Sequence, residues 1–278
     1  MTSKSWMKTQ APDPTRLPAE VNPEVPSIAR VYDYFLGGKD NFPADRAAAA
    51  AVETVFPQGR QLGRESRLLL RRATRELVRS GVRQFLDIGS GLPTAGNVHE
   101  IAHEIDPQVR VVYVDNDPVV LAHGRALLAD DGATTTVVQA DLRHPDGIFD
   151  HPEVRALLDF DQPVAVFMAS VLHHLDDADD PWGIVAQIRD RLSSGSHVLV
   201  THFYDSGDPR CREIEQALVQ GGLGSGWFRT TEQIERFFEG MELLEPGVVA
   251  ANEWRPDEET PRDSDTHRML AGGLARKP

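Results

Sequence analysis

The 278-residue chain contains a single cysteine, Cys211. No internal disulfide can form, and a lone thiol outside any motif reads as a bystander rather than a nucleophile. Long apolar runs are missing too. The longest clean stretch, Val164 to Leu172, falls well short of the roughly 18 to 20 residues of a membrane span. A soluble protein with no membrane partner is therefore expected. The opening MTSKSWMKTQAPDPTRLPAEVNPEVP carries Lys4 and Lys8 with no hydrophobic block behind them. It does not read as a secretory signal, which makes the cytoplasm the default location. Positive charge is in short supply: the net charge is −14, and although residues 1–83 hold 14 Lys+Arg against 9 Asp+Glu, a balance of +5, the remainder carries −19. A nucleic-acid partner is disfavoured on that count. The densest basic series, Arg60, Arg64, Arg67, Arg71, Arg72, Arg75 and Arg79, is spaced mostly by three or four residues, as on the wet face of a helix.

With 40% hydrophobic residues the chain can build one large α/β domain with a helical addition. Residues 1–26 hold five prolines and little apolar periodicity and are expected to form a flexible tail. Residues 27–83 read as a helical arm: IARVYDYFLGG ended by Gly37-Gly38, an alanine-rich piece from Ala44 to Phe56, and Gln61 to Arg79 ended by Ser80-Gly81. From Gln84 onward β-rich runs alternate with helical patterns: FLDIG at 85–89, VVYVD at 111–115, TVVQAD at 136–141, VAVFMA at 164–169 and HVLVTHF at 197–203. Such alternation means βαβ crossovers and a parallel, doubly wound sheet whose strands are covered on both faces. MELLEPGVV at 241–249 and HRMLAGGLARK at 267–277 are suited to close the sheet as an antiparallel pair. Helices are expected over Pro209–Val219 and over 230–238, the second opened by a Thr230–Gln233 capping box. Together they make a helical insertion at about 204–235 within a domain of residues 84–278.

The most informative segment is FLDIGSGLPT at 85–94, a strand carrying Asp87 followed by a Gly89-x-Gly91 turn. Glycines there let the backbone pass close to a ligand. Asp115 ends the next strand, 24 residues past Gly91, where a carboxylate can accept from both ribose hydroxyls of an adenosine. Asp141 ends the third strand, near where an adenine edge would lie. Three strand-end carboxylates suit a ligand with an amino group, a sulfonium and ribose hydroxyls better than one with phosphates, which they repel. The plain alternative is that each Asp only caps the following turn. A dinucleotide fingerprint would need a third glycine where Leu92, Pro93 and Thr94 stand, which argues against a nicotinamide dehydrogenase. In VLHHL, His173 and His174 follow the fourth strand, and His174 is the candidate base or acceptor contact, with packing under the next loop as the plainer reading. Tyr204 is a weaker candidate of the same kind. The arm segment Tyr32 to Asn41 mixes aromatics with Gly37-Gly38 and could cover a nucleoside as a lid; core packing at helical spacing is the alternative.

DIGSG, YVDNDP, QADLR and VLHHL, in this order, resemble class I S-adenosylmethionine-dependent methyltransferases. More narrowly, the chain is similar over about residues 26–278 to a little-characterised bacterial family with an arm like ARVYDYFLGGKDNFPADR. Further similarity lies in GLPTAGNVHE, WFRTTEQIERFFEGMELLEPGVV and the closing ARKP. The resemblance implies a Rossmann-like seven-stranded sheet with its last strand antiparallel, S-adenosylmethionine as cofactor, and transfer of a methyl group to a small-molecule acceptor it does not identify. It places Asp87, Gly89, Ser90 and Gly91 along the methionine side, Asp115 and Asn116 at the ribose, and Asp141 with Leu142 at the adenine. Ala169, at the end of the fourth strand, and Tyr32 and Gly38, from the arm, complete the expected cofactor contacts.

Two rivals remain at this level. His99-Glu100-Ile101-Ala102-His103 matches the H-E-x-x-H pattern of zinc hydrolases, but it lies on a crossover helix with no identifiable third ligand, and no metal is expected. A non-catalytic cofactor-binding regulator could keep every adenosine contact and lack an acceptor pocket.

Overall fold

A computed structural model describes residues 21–93, 96–128, 133–224 and 226–278; most of the proline-rich tail, residues 1–20, and Thr94 lie outside the described residues. Eight strand segments form one sheet: β1 (Gln84–Ile88), β2 (Arg110–Asp115), β3 (Thr135–Gln139), β4 (Ala165–Ala169), β5 (His197–Phe203), β6 (Glu242–Leu243), β7 (Val249–Ala250) and β8 (Leu270–Arg276). The order is β3-β2-β1-β4-β5-β8-β6, with β7 also on β8. Strands β1 to β5 are mutually parallel and β8 runs antiparallel to β5. The expected reversed last strand is therefore present, slotted between β5 and the edge. That edge is one strand broken in two: β6 pairs with Leu274's neighbours Ala275 and Arg276, β7 with Ala271 and Gly272, and Leu244–Val248 bulges out between them.

Ten helices are seen among the described residues: α1 (Ile28–Phe35), α2 (Pro43–Val55), α3 (Gly59–Arg79), α4 (Val98–His103), α5 (Pro118–Leu127), α6 (Pro145–Phe149), α7 (Pro152–Leu157), α8 (Pro181–Asp190), α9 (Arg210–Gln220) and α10 (Thr231–Glu235). The capping box at α10 forms as expected, with Gln233 N donating to Thr230 Oγ1 at 3.4 Å and Thr230 N to Gln233 Oε1 at 3.0 Å. No helix among the described residues is long and apolar enough to cross a membrane.

Because side chains alternate along a strand, the sheet feeds two cores. Phe85, Val111, Phe167 and Leu199 face one core with α2, α3 and α9, and Leu86, Val112, Val166 and Val198 face the other with α6 and α8. The first core also takes in Val31 of α1, Ala49 of α2 and Leu69 of α3. Residues 27–83 thus share a core with the sheet. This burial corrects the solvated reading of the arginine series at Arg72, which is 7% exposed and donates to the carbonyls of Trp254 (3.0 Å) and Ala251 (2.6 Å) and to Thr260 Oγ1 (3.1 Å). Its guanidinium satisfies backbone acceptors that a loop packed on the sheet could not otherwise pair.

Candidate active site

The C-terminal ends of the parallel strands form one rim, where open α/β sheets bind their ligands. At the end of β1 the chain turns through Gly89 (φ +73°) and Gly91 (φ +66°), a left-handed backbone that favours glycine. A Cβ on Gly89 would also collide with the Val171 side chain. Asp115, at the end of β2, fastens this turn: its Oδ2 accepts from Gly91 N (2.8 Å) and its Oδ1 from Asp117 N (3.0 Å). Asp87 and Asp115 are 5% and 9% exposed. Burial pushes the Asp87 carboxyl up to about 7, against the pull of the Arg67 charge and with a further push from Asp115. Burial likewise raises Asp115 to about 6, although the amides of Asp117 and Gly91 favour its charged form. Both are buried carboxylates for which an incoming cation or donor is favourable.

Asp141 differs. It is half-buried and forked by Arg143, whose Nη2 and Nε lie 2.6 and 3.1 Å from Oδ2, and this bond holds its carboxyl below the usual range. Leu142 beside it is buried.

The arm closes this end of the rim through a buried polar cluster. Arg30 donates to Asp45 Oδ2 (2.9 Å) and to the Val25 carbonyl (2.6 Å) and stands 3.5 Å from Asp117 Oδ2, which Ser27 Oγ also bonds. Asp117 additionally caps α5 by accepting from Val119 N at 2.8 Å. Tyr32 donates to the Gly63 carbonyl at 3.2 Å, with the Arg67 guanidinium over its ring at 5.9 Å.

After β4, Ser170 takes a left-handed φ of 58° and leads into a 3-10 turn, Leu172–His174. His173 is buried and stacked flat on Phe203, centroids 3.6 Å apart and planes 5° from parallel. Burial holds it uncharged, well below the usual imidazole range. His202, packed on the other side, is pushed down to about 3 by burial and the Arg229 charge; Arg229 Nη1 is 2.8 Å from its Nε2. Arg229 is itself buried and bonds the carbonyls of Leu172 and Leu175 and Asp177 Oδ1, which pins the turn that presents His174. His174 is half-buried, its ring 4.4 Å from that of His173.

A cavity of about 680 Å³ joins these parts. Its lining includes Asp87, Gly89, Ser90, Gly91, Asp115, Asn116, Asp141, Leu142, Ala169, Tyr32 and His174. Of the expected cofactor contacts, Gly38 stays outside: its amide donates to the Asp33 carbonyl at 2.8 Å, and it is small because any side chain would strike the Asp33 carboxylate. Its place is structural. Tyr204 also stays outside, pairing with Met269 through its amide, and Cys211 is a buried thiol that burial pushes up to about 11. The H-E-x-x-H residues are committed elsewhere: Glu100 accepts from the amides of Gly96 (2.8 Å) and Asn97 (2.9 Å) at the start of α4, His99 Nδ1 meets the Tyr113 hydroxyl at 2.7 Å, and His103 Nε2 meets the Val109 carbonyl at 2.8 Å. No cluster of metal-ligating side chains occurs among the described residues. Conversely, the cavity is lined by Ser66, Arg67, Asp117, Ser170 and Phe203, which the sequence did not single out as site residues. Arg67 belongs to the series read as a wet face, yet α3 turns it inward toward Asp87.

A family model for S-adenosyl methyltransferases matches residues 14–278. Among solved structures, a candidate methyltransferase from Thermobifida fusca YX is 45% identical with a TM-score of 0.87, covering 91% of this chain and 96% of that one. A DUF574-family protein from Streptomyces avermitilis MA-4680 is 39% identical with a TM-score of 0.86, covering 92% of this chain and 99% of that one. An O-methyltransferase family protein from Burkholderia thailandensis, 12% identical with a TM-score of 0.52 over 84% of this chain and 60% of that one, shares the fold. No protein of curated function matches the chain.

Proposed function

Because the chain belongs to the S-adenosyl methyltransferase family and its cofactor is S-adenosylmethionine, we propose that the acidic end of the cavity holds that cofactor and the remainder holds a small-molecule methyl acceptor. The observation that carries this reading is the continuity of one cavity from the Asp87–Gly91–Asp115 turn to His174 and beyond. A regulator that only sensed the cofactor would need no such extension.

The residues fit the group chemically. Asp87 is a buried carboxylate that burial raises to about 7, and the cofactor's amino-acid part brings an ammonium that would favour its charged form. Arg67, whose guanidinium lies over the Tyr32 ring and whose charge acts on Asp87, faces the same region and suits the carboxylate of that amino acid. Asp115 already accepts two amide hydrogens and has lone pairs left for ribose hydroxyls. Tyr32 offers a ring edge and Gly89 and Gly91 an open backbone. Asp141 with Leu142 borders the adenine end, its carboxylate shared with Arg143.

Bound S-adenosylmethionine supplies a methyl group on a sulfonium, with a neutral thioether as leaving group. What remains for the protein is alignment, exclusion of water and, for an acceptor that must lose a proton, a base. His174 sits at the β4 end to take that proton. The neutral His173 and the pinned 3-10 turn hold it in place, and α1, α2 and α9 contribute to the cavity lining.

Asp115→Ala should weaken binding of S-adenosylhomocysteine, the demethylated product, by roughly 100-fold or more, the equivalent of two charge-assisted hydrogen bonds. Titration calorimetry checks this, with circular dichroism showing that the fold is retained despite the lost bonds to the Gly91 and Asp117 amides. Near-native affinity in the variant would remove Asp115 from the site.

A further inference from the structure

The cavity changes character along the strand order. Asp141, Asp115 with Asp117, and Asp87 stand at the ends of β3, β2 and β1. Past Asp179, in the loop after β4, the acids stop: the wall is made by Phe203 at the end of β5, Leu270 at the start of β8, Val52 of α2, and Ile214 and Leu218 of α9. Helices α2 and α9 pack against each other over this end. Among the described residues, no charged side chain lines the cavity from α2, β5, α9 or β8.

Besides His174, a chain of hydroxyls reaches this lobe. Ser66 Oγ of α3 lies 3.0 Å from Ser170 Oγ, which lies 3.1 Å from Thr201 Oγ1. Three hydroxyls joined by two bonds use two of their three hydrogens. Thr201 is fully buried, whereas Ser66 and Ser170 line the cavity, so the bonding capacity this chain has left for a ligand is offered there by the serine pair. Ser170 holds its place at the cost of a left-handed φ of 58°, a conformation a serine adopts only when its surroundings impose it.

We propose that the acceptor is an uncharged, largely apolar small molecule carrying one hydroxyl, seated against the β5–β8–α9 wall with that hydroxyl bonded to the Ser66–Ser170 pair. The inference rests on reading the acidic half as the cofactor site. A carboxylate, phosphate or ammonium acceptor would lose its hydration against this wall with no counter-charge to receive it. A neutral ring or alkyl body loses nothing there and displaces water from apolar surface. The serine pair then discriminates for a hydroxyl, because an analogue that lacks one leaves the pair's remaining hydrogen-bonding capacity unmet in an apolar lobe.

The test uses the full chain saturated with S-adenosylhomocysteine and three probes: 2-naphthol, naphthalene, and 2-naphthol-6-sulfonate. Calorimetry is expected to show 2-naphthol binding at least about tenfold tighter than the sulfonate. In the double variant Ser66→Ala, Ser170→Ala the preference for 2-naphthol over naphthalene should fall about three- to tenfold, the value of one neutral hydrogen bond. Leu218→Gln, which places an amide in the wall, should weaken both neutral probes while S-adenosylhomocysteine binding stays the same. Retained S-adenosylhomocysteine affinity serves as the control for folding in each variant. Equal or tighter binding of the sulfonate, no binding of 2-naphthol, or a naphthol preference unmoved in the serine variant would each overturn the proposal. Failure of the wild-type chain to bind S-adenosylhomocysteine would instead overturn the cofactor reading beneath it.

Discussion

The two halves of the cavity are built from different materials. Around β1 to β3 the surface is carboxylate and bare backbone: Asp87, Asp115 and the Gly89–Gly91 turn, tied together by amide-to-carboxylate bonds of 2.8 and 3.0 Å. Around β5 and β8 it is side-chain carbon contributed by α2 and α9, with a serine pair as its polar mark. A polar half made of strand ends is fixed in geometry by the sheet and suits an invariant ligand. A wall made of helix side chains can be repacked by substitution without moving a strand, and this half is where specificity for an acceptor belongs. Changes in one half should therefore register in one ligand and spare the other.

Arg67 offers the largest expected contrast. If it pairs with the amino-acid carboxylate of the cofactor, Arg67→Met should weaken S-adenosylhomocysteine roughly tenfold to 100-fold, the loss of one charge-assisted contact. It should leave binding of 5′-methylthioadenosine, which has ribose and adenine but no amino acid, within a factor of about two. Calorimetry with both nucleosides separates the outcomes. Equal losses for the two would mean that Arg67 supports the fold of the turn and does not touch the ligand.

A pH series sharpens the same half. Burial raises the Asp87 carboxyl to about 7, with the Arg67 charge pulling the other way. A bound ammonium favours the carboxylate, so binding lowers this value and releases a proton. The sign follows: affinity is greatest above about 7 and declines as pH falls below it, approaching tenfold per unit. Asp87→Asn should bind more weakly at pH 8 and lose the slope between pH 8 and 6. A slope that survives in Asp87→Asn would assign the titration to Asp115, raised to about 6.

The acidic half could be read in the sequence because its residues are local: a strand, an acid and two glycines lie within Phe85–Gly91, and Asp115 follows at the end of the next strand. The doubly wound sheet was readable for a similar reason, since strand runs covered on both faces keep their apolar signature whatever packs on them; the reversal of its last strand leaves no such signature and followed from the resemblance to class I methyltransferases. The apolar half was not, because Val52, Leu218 and Leu270 come from distant elements and look like any core residue. Arg67 shows a subtler failure. With arginines every three or four residues along α3, periodicity marks a basic face but not its orientation, and only packing of the helix on the sheet turns Arg67 and Arg72 inward. Ser170 carries its signal in φ, which no residue type announces. The H-E-x-x-H spacing had the opposite fault, a local pattern whose side chains are claimed by Tyr113 and the Val109 carbonyl, partners invisible until β2 pairs beside β1.

The smallest effect is expected where the arm meets the cofactor half. Helix α1 is seated on Asp117 through Ser27 and Arg30, and Asp117 in turn donates its amide to Asp115. Removing Arg30 would strand two buried carboxylates, Asp45 and Asp117, and confuse binding with unfolding. Ser27→Ala deletes one hydrogen bond and leaves the ion pairs in place, a change worth about 0.5–1.5 kcal/mol. If the seat on Asp117 is what holds the arm over the ligand, proteolytic cleavage between Val21 and Asn41 should speed up roughly two- to tenfold in the variant. Saturating S-adenosylhomocysteine should slow cleavage in the wild type, because the ligand orders Asp115 and with it the loop that carries Asp117. The naphthol probe, bound against α9, should register the substitution by less than about twofold. Identical cleavage rates in variant and wild type, with and without ligand, would mean that Val31 and its neighbours in the shared core hold the arm alone, and the arm would then belong to the wall of the cavity and not to its closure.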